Sequence, residues 1–309
     1  MRNKTLYYCE PVYRPPSEAY SLLIQATEGC TFRCTFCVSN IGKKFKVRPV
    51  EDIKRDIDTA LDIYGRDVRR IFFLDGNAMV MPYMQLLEIT KYAFKRFQTL
   101  QRVSVYAHAH DILEKSDKEL RNLAEAGLRM AYIGIETGNN DLLKKIRKQQ
   151  TADGIVRAFH KCFKAGITPS GTIILGLAGN DKDISFRHIK DTAALVNRAS
   201  PTHVVKSESM PVWYISCLTL MIPQGTTVYT DMQQGRLVPM RPDEILQEMK
   251  IFIEHITVDV QNCIFRSNHA SNYLAVKGTL IEDKEAILAL IEKNLQNRED
   301  IRPECFRAL

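Results

Sequence analysis

The sequence predicts an α/β fold, a partial (β/α)6 TIM-like barrel with a mainly helical C-terminal appendage. Short β-rich runs alternate with amphipathic helical stretches, which is typical of a parallel sheet with helices outside. The runs are nearly all apolar, as expected for strands that are buried on both faces. The alternation repeats through six units, which can close most of the way into a barrel. The predicted strands are Ser21–Gln25, Arg70–Leu74, Val103–Ala107, Met130–Ile135, Gly171–Leu175 and Tyr214–Leu220.

The segments between these strands contain residues that are typical of helix starts, buried helix faces and helix ends. Pro49 can open the first helix, and apolar side chains follow it at spacings of three and four residues. Ser116 and Glu119 form a capping box, and Gly127 suits the end of the helix that they begin. Thr27–Lys46 is predicted to be a polar loop. The other predicted helices are Pro82–Phe97, a helix from Asp141, Thr151–Ala165 and Asp183–Arg198.

Three segments are expected along the chain: an N-terminal extension at 1–20, the barrel at 21–240 and an appendage at 241–309 that covers the barrel. The length of 309 residues suits one α/β barrel of about 250 residues with an addition. The appendage has its own pattern of elements. It is predicted to contain an amphipathic helix at Asp243–Ile256, an extended run at Val258–Phe265, a polar loop at Ser267–Tyr273 and a helix at Asp283–Leu295.

Composition and charge exclude several classes of protein. Apolar residues make up 45% of the chain and charged residues 26%, which excludes intrinsic disorder and collagen-like repeats. The apolar runs are far shorter than the ~20 residues needed to cross a membrane, and the N-terminus lacks an apolar signal segment, so we expect a cytoplasmic protein. The net charge of +7 suits an anionic ligand or a well-solvated surface. Basic residues form no dense run, which argues against a nucleic-acid partner.

The sharpest motif is CxxxCxxC, formed by Cys30, Cys34 and Cys37 directly after the first predicted strand. In a protein without a secretion signal, clustered cysteines indicate metal ligands rather than disulfides. Iron–sulfur clusters are held by cysteine thiolates, usually four. A local trio leaves one iron of a [4Fe–4S] cluster without a protein ligand. Such an open position can bind and activate a substrate.

The main alternative is a zinc site or another non-catalytic metal-binding module. Zinc ribbons and knuckles pair one CxxC or CxxH module with a second half further along the chain. The remaining five cysteines stand alone, and His108 with His110 is the only close histidine pair. The sequence therefore favours the open-site iron–sulfur cluster.

The motif Gly29-Cys30…Cys34…Phe36-Cys37, placed at the end of the first strand of a six-unit β/α chain, resembles the radical S-adenosylmethionine superfamily. The nearest branch contains oxygen-independent coproporphyrinogen oxidase, the methylthiotransferases and the Elongator catalytic subunit. The resemblance implies that the three cysteines hold a [4Fe–4S] cluster whose fourth iron binds S-adenosyl-L-methionine. It also implies reductive cleavage to methionine and a 5′-deoxyadenosyl radical, which abstracts hydrogen from a substrate.

The resemblance also implies cofactor-binding positions at the carboxyl ends of the first strands, where barrel enzymes place reacting groups. Asp75, Gly76 and Asn77 follow the second strand, where the family has a Gly-Gly-Glu-like segment that holds the methionine amino group. Tyr106 stands where coproporphyrinogen oxidases carry an acidic cofactor contact. His108 and His110 follow it and can donate or shuttle a proton, and His108 is a candidate catalytic residue.

Further positions follow the later strands. Glu136 is similar to the Gln or Glu that touches the ribose or amino acid of the cofactor, and it is a second candidate catalytic residue. Lys148 resembles the Arg or Lys that pairs with the methionine carboxylate. The family packs the adenine near the fifth strand, so Gly176 and Phe36 are predicted to contact it.

The function expected from the resemblance is a radical enzyme of unassigned, small-molecule substrate. Flavodoxin or ferredoxin is the expected electron donor, and the mild positive charge suits such an acidic partner. The alternatives are a coproporphyrinogen-oxidase-like or haem-handling protein and, from another class, a non-catalytic iron–sulfur or zinc module. A nucleic-acid-modifying protein is a third alternative, and it predicts salt-dependent retention on RNA.

Overall fold

Parallel strands followed by helices make up most of the computed structural model, which describes residues 5–207 and 209–308. The strands are β1 Leu22–Gln25, β2 Thr27–Glu28, β3 Lys46–Val47, β4 Arg70–Leu74, β5 Arg102–Ala107, β6 Leu128–Glu136, β7 Thr168–Leu175, β8 Trp213–Thr219, β9 Cys263–Arg266 and β10 Lys277–Thr279. The helices are α1 Val50–Tyr64, α2 Tyr83–Arg96, α3 Ala109–Glu114, α4 Asp117–Glu125, α5 Asn140–Lys145, α6 Ala152–Ala165, α7 Lys182–Arg198, α8 Thr227–Gln233, α9 Pro242–Glu254 and α10 Lys284–Asn297.

Contacts between residues divide the chain into two compact units. The first unit consists of Met1–Thr31, Ser39–Ile133 and Lys161–Pro169. The second unit consists of Phe32–Val38, Gly134–His160 and Ser170–Leu309.

In the first unit, four strands pair in parallel in the order β1-β4-β5-β6. Helix α1 contacts β1 of this sheet. Its buried side chains, Ile53, Ile57 and Ala60, lie at spacings of four and three residues and so share one face of the helix. The capping box of Ser116 and Glu119 begins α4, as predicted. Gly127 then takes a positive φ of 110°, and a Cβ there would lie 2.0 Å from the ring of Phe94.

In the second unit, β7, β8 and β9 pair in parallel and β10 adds an antiparallel strand. Helix α9 packs against α7 and α10. Residues 241–309, predicted to be an appendage, contain β9, which pairs with β8 in the sheet of the second unit. The helices predicted at Asp243–Ile256 and Asp283–Leu295 are confirmed as α9 and α10, with ends that differ by one or two residues.

The six predicted strands are all present, with ends shifted by up to three residues. The prediction that Thr27–Lys46 is only a loop was wrong at its ends, because Thr27 pairs with Val47 and Glu28 with Lys46 in a short antiparallel ladder. Helices α3 and α8, which have six and seven residues, were not predicted from the sequence. Within the described part of the chain, none of the helices combines the length and the apolar character that spanning a bilayer requires.

Candidate functional site

Cys30 is buried in the first unit, in the segment that follows β2. Its Sγ lies 3.1 Å from Nε2 of His108, which directly follows β5. The same sulfur lies 3.8 Å from the carbonyl oxygen of Gly76, in the turn after β4. A Cβ at position 76 would lie 3.1 Å from the Cβ of Cys30, so the absence of a side chain permits this close approach. The carboxyl ends of β4 and β5 thus bring residues 76 and 108 to the first cysteine.

Asp75 lies beside this cysteine segment and has partners within the chain. Its carboxylate accepts hydrogen bonds from Lys43 Nζ at 2.8 Å and from the backbone N–H of Gly29 at 3.2 Å. Burial raises the pKa of Asp75, and the hydrogen bond and charge of Lys43 oppose that rise. The carboxylate therefore ties the residue before Cys30 to the later Lys43 loop. A cofactor contact of the Asp75 side chain stays a prediction.

Asn77 is fully buried in the same turn. Its Nδ2 donates to Asp111 Oδ2 at 2.6 Å and to Thr31 Oγ1 at 3.1 Å. Its Oδ1 is buried and accepts no hydrogen bond from the described residues. A buried acceptor without a donor costs free energy, and an ammonium group would satisfy it. This observation fits the predicted place of the methionine amino group.

Tyr106 belongs to an aromatic cluster of the first unit. Its ring meets Phe72 edge-on with a centroid distance of 5.0 Å, and it lies 6.2 Å from the ring of Tyr132. The hydroxyl of Tyr132 in turn donates to the buried carboxylate of Glu18 at 2.7 Å. Tyr106 therefore has a packing role, and its predicted cofactor contact stays a prediction. His110, on α3, is exposed.

The other two cysteines of the motif lie in the second unit. The backbone N–H of Cys37 donates to the carbonyl of Cys34 at 3.1 Å, which forms a tight turn around Phe36. Phe36 packs against an apolar cluster of Ile146, Ile174 and Leu177. Two of these residues flank Gly176, so the structure brings together Phe36 and the strand end that were predicted to contact the adenine.

Glu136 and Lys148 form a buried ion pair in the second unit, with Lys148 Nζ 2.7 Å from Glu136 Oε1. Glu136 ends β6 with a φ of 59°, an uncommon conformation for a residue with a side chain. Gly134 leaves the room for this pair, since a Cβ there would lie 2.1 Å from Glu136 Oε1 and 2.5 Å from Lys148 Nζ. Lys148 also lies over the ring of Phe32 at 5.9 Å. The two predicted residues thus meet, as partners of each other.

Gly176 has a positive φ of 82°, and its N–H donates to Glu248 Oε2 at 2.7 Å. Ser185 donates to the other oxygen of Glu248 at 2.6 Å. Burial raises the pKa of Glu248 to about 7, and the two hydrogen bonds oppose the rise. Glu248 was not predicted from the sequence, although a carboxylate three residues after Ile245 on the apolar face of an amphipathic helix is a usable signal.

The missed residues of the first unit are Lys43 and Asp111, and neither has a local sequence signal, because their partners lie more than 30 residues away along the chain. The chemistry of the donor set fits a thiolate-bound cluster. Among the described residues, no group of three His, Cys, Asp or Glu side chains is arranged to bind a single metal ion. The thiolates of an iron–sulfur cluster bind different iron atoms, so a cluster does not require such a group.

The chain is similar in sequence to known proteins and in fold to solved structures. Residues 24–189 match the family model of the radical SAM superfamily. The chain is 27% identical over 187 residues to bacteriochlorophyllide d C-12(1)-methyltransferase of Chlorobaculum tepidum, covering 57% of this chain and 38% of that protein. It is 25% identical over 230 residues to the heme chaperone HemW of Bacillus subtilis, covering 71% and 55%. The chain thus spans roughly a third to about half the length of these curated relatives.

Among solved structures, coproporphyrinogen III oxidase of Escherichia coli superposes with a TM-score of 0.53. The two sequences are 17% identical, and the match covers 76% of this chain and 52% of that one. At this identity the likeness shows the fold, and it confirms the predicted α/β, TIM-like fold class. Because the family model matches more than half of the residues, the chain belongs to the radical S-adenosylmethionine superfamily.

Proposed function

We propose that this chain holds a [4Fe–4S] cluster through Cys30, Cys34 and Cys37 and cleaves S-adenosylmethionine reductively. Members of the superfamily use this cluster and this cofactor. When bound and reduced, the cluster provides the electron that splits the cofactor into methionine and a 5′-deoxyadenosyl radical, which abstracts hydrogen from a substrate. The observation that carries the proposal is the trio of cysteines within eight residues, inside the segment that matches the family.

The residues of each unit have separate roles in this proposal. Asn77 Oδ1, the buried acceptor of the first unit, would receive a hydrogen bond from the amino group of the methionine part. Lys148 would bind its carboxylate, because an ammonium group makes a charge-assisted hydrogen bond to that anion. Glu136, paired with Lys148 at 2.7 Å, would orient the lysine and accept from a hydroxyl of the ribose.

The apolar part of the cofactor needs a different surface. Phe36 and the residues on either side of Gly176 form an apolar cluster that suits the face of an adenine. The backbone of Gly176 has no side chain to block a close approach, and Glu248 fixes its N–H direction at 2.7 Å.

The test is anaerobic reconstitution with iron and sulfide, followed by dithionite and S-adenosylmethionine, with 5′-deoxyadenosine as the measured product. We expect the wild-type chain to form product and Cys34→Ala to fall to the background. Cys305→Ser is the matched control, because Cys305 is exposed and lies outside the motif. Product formation that survives in Cys34→Ala would end the cluster assignment.

Radical enzymes of this family need an electron donor, and we propose flavodoxin or ferredoxin for this chain. The net charge of +7 supports an acidic partner, since complementary charge speeds association. We expect reduced flavodoxin to replace dithionite in the product assay, with a rate that falls as salt is added. A rate that does not change with salt would argue against this kind of docking.

Tetrapyrrole chemistry is the second candidate for the substrate. The names of two curated relatives and one structural neighbour refer to bacteriochlorophyllide, heme and coproporphyrinogen. This supports a porphyrin-type substrate or cargo over an unrelated metabolite. Addition of heme or coproporphyrinogen is expected to change the absorption spectrum of the protein or the rate of cofactor cleavage. Unchanged spectra and rates with both compounds would remove this candidate.

A further inference from the structure

The contact between His108 and Cys30 has a consequence for the cluster itself. Nε2 of His108 lies 3.1 Å from Sγ of Cys30, which is hydrogen-bond distance for a sulfur acceptor. Each residue is only 6% exposed, so water does not compete strongly for the contact. A cysteine that binds iron is a thiolate and has no proton to donate. In the proposed cluster-bound state, the imidazole must therefore be the donor.

Helix α3, which begins directly after His108, is held in place by contacts of other side chains. His108 is the N-terminal cap of α3, but its side chain makes no capping hydrogen bond. Helix α3 is fixed instead by Asp111, which accepts from Asn77 Nδ2 at 2.6 Å. Lys115, just after the helix, donates to the carbonyl of Met79 at 2.6 Å. Replacement of the His108 ring therefore leaves the anchors of the helix intact.

A hydrogen bond to a sulfur that binds the cluster changes the free energy of reducing the cluster. Reduction adds one negative charge to the cluster and its thiolates. An N–H donor stabilises the more negative state more than the less negative one, so it raises the reduction potential. The effect is strong where the surroundings exclude water, as they do around Cys30 and His108.

We propose that His108 is a positioning residue that donates a hydrogen bond from Nε2 to the Cys30 sulfur and thereby raises the reduction potential of the cluster. This inference rests on the proposed cluster ligands. It gives His108 a role in electron acceptance, in place of the proton shuttle expected from the sequence.

The test is an EPR-monitored redox titration of the reconstituted cluster in wild type, His108→Phe and His108→Gln. His108→Phe keeps a ring but removes the donor, and we expect about a tenfold lower ratio of reduced to oxidised cluster at a fixed potential, a shift of roughly 59 mV. His108→Gln keeps an N–H donor and should recover most of the shift. His110→Phe is the control on the same helix, because His110 is exposed, and its potential should match the wild type.

Iron and sulfide contents are measured in every sample, so that the potentials are compared at equal cluster loading. An unchanged potential in His108→Phe, or a potential in His108→Gln as low as in His108→Phe, would overturn the inference. If His108→Phe fails to load a cluster, His108→Leu is titrated in its place. Loss of the cluster in both variants, with the chain still folded, would assign His108 to assembly and also overturn the inference. A wild-type chain that binds no cluster would instead reject the proposed function.

Discussion

The pair of Lys43 and Asp75 shows how single residues support the cysteine segment of the first unit. Both side chains are at most 4% exposed, and their charged atoms lie 2.8 Å apart. Two charges out of water are tolerated only when they are paired and hydrogen-bonded. Asp75 also receives the N–H of Gly29, the residue before Cys30. The ion pair therefore stabilises the segment from which the first proposed ligand projects.

We expect Asp75→Asn to destabilise the protein by about 3–5 kcal/mol, because it removes the carboxylate charge that lies 2.8 Å from the buried Lys43 ammonium. Lys43→Met/Asp75→Asn should cost much less than the sum of the two single changes, since neither charge remains. Urea unfolding of the four proteins gives this double-mutant cycle. Strictly additive costs would show that the two residues do not interact.

At the residue scale, candidate site residues were predictable from the sequence, but the side chains that they contact were not. Glu136 and Lys148 were each predicted to contact the cofactor, and the structure pairs them with each other. Lys43 and Asp75 are 32 positions apart along the chain, and no local pattern in the sequence would pair them. Such contacts depend on how distant loops fold back, and this information is not in the spacing of residues along one element.

Elements were predicted better than contacts, because periodic burial of side chains leaves a local signal. Strand β4 was predicted to the residue, and the capping box at Ser116 marked the start of α4. The missed elements are short: β2 and β3 have two residues each and α3 has six. A run of this length shows less than two full periods of a helix, so its pattern cannot be distinguished from a loop.

Glu248, on helix α9, is expected to make the stability of the protein depend on pH. The folded-state pKa of Glu248, about 7, lies above the ordinary value of 4.5. The folded protein therefore holds this proton to a higher pH than the unfolded chain does. The stability that this proton provides is complete below pH 4.5 and is lost as the pH rises through 7.

Glu248→Gln keeps an acceptor for the N–H of Gly176 and removes the titration. Above about pH 8, we expect Glu248→Gln to be more stable than wild type by roughly 3 kcal/mol. Its free energy of unfolding should not show the decrease that the Glu248 carboxyl causes in wild type as the pH rises. Urea unfolding at acidic and alkaline pH measures the difference. Equal pH profiles for the two proteins would show that this carboxyl does not carry the effect.

At the scale of the whole molecule, the segment 241–309 belongs to the same compact unit as residues 170–240, the last part of the proposed barrel segment. Strand β9 pairs with β8 along four residues, and α9 lies against α7. The order of elements was predictable from their alternation along the chain. The pairing of β9 with β8 was not predictable, because the local sequence of a strand does not indicate which other strand it pairs with.

We expect a chain cut after residue 240 to aggregate on expression, because the cut removes the neighbours of β8 and α7 in the second unit. An unpaired strand edge and an uncovered apolar helix face both promote association with other chains. The measurement is the soluble fraction and light scattering against the full chain. A soluble, monomeric 1–240 fragment with a cooperative melt would instead support an independent barrel domain.

Position 134 limits how the second unit can change by substitution. Even a methyl group there would overlap the Glu136 carboxylate and the Lys148 ammonium. An alanine at this position would push the two charged side-chain ends apart or turn the end of β6. In a saturation library, alanine at position 134 should therefore weaken the Glu136–Lys148 pair, and larger side chains should cost more, although the native glycine has no side chain to contribute.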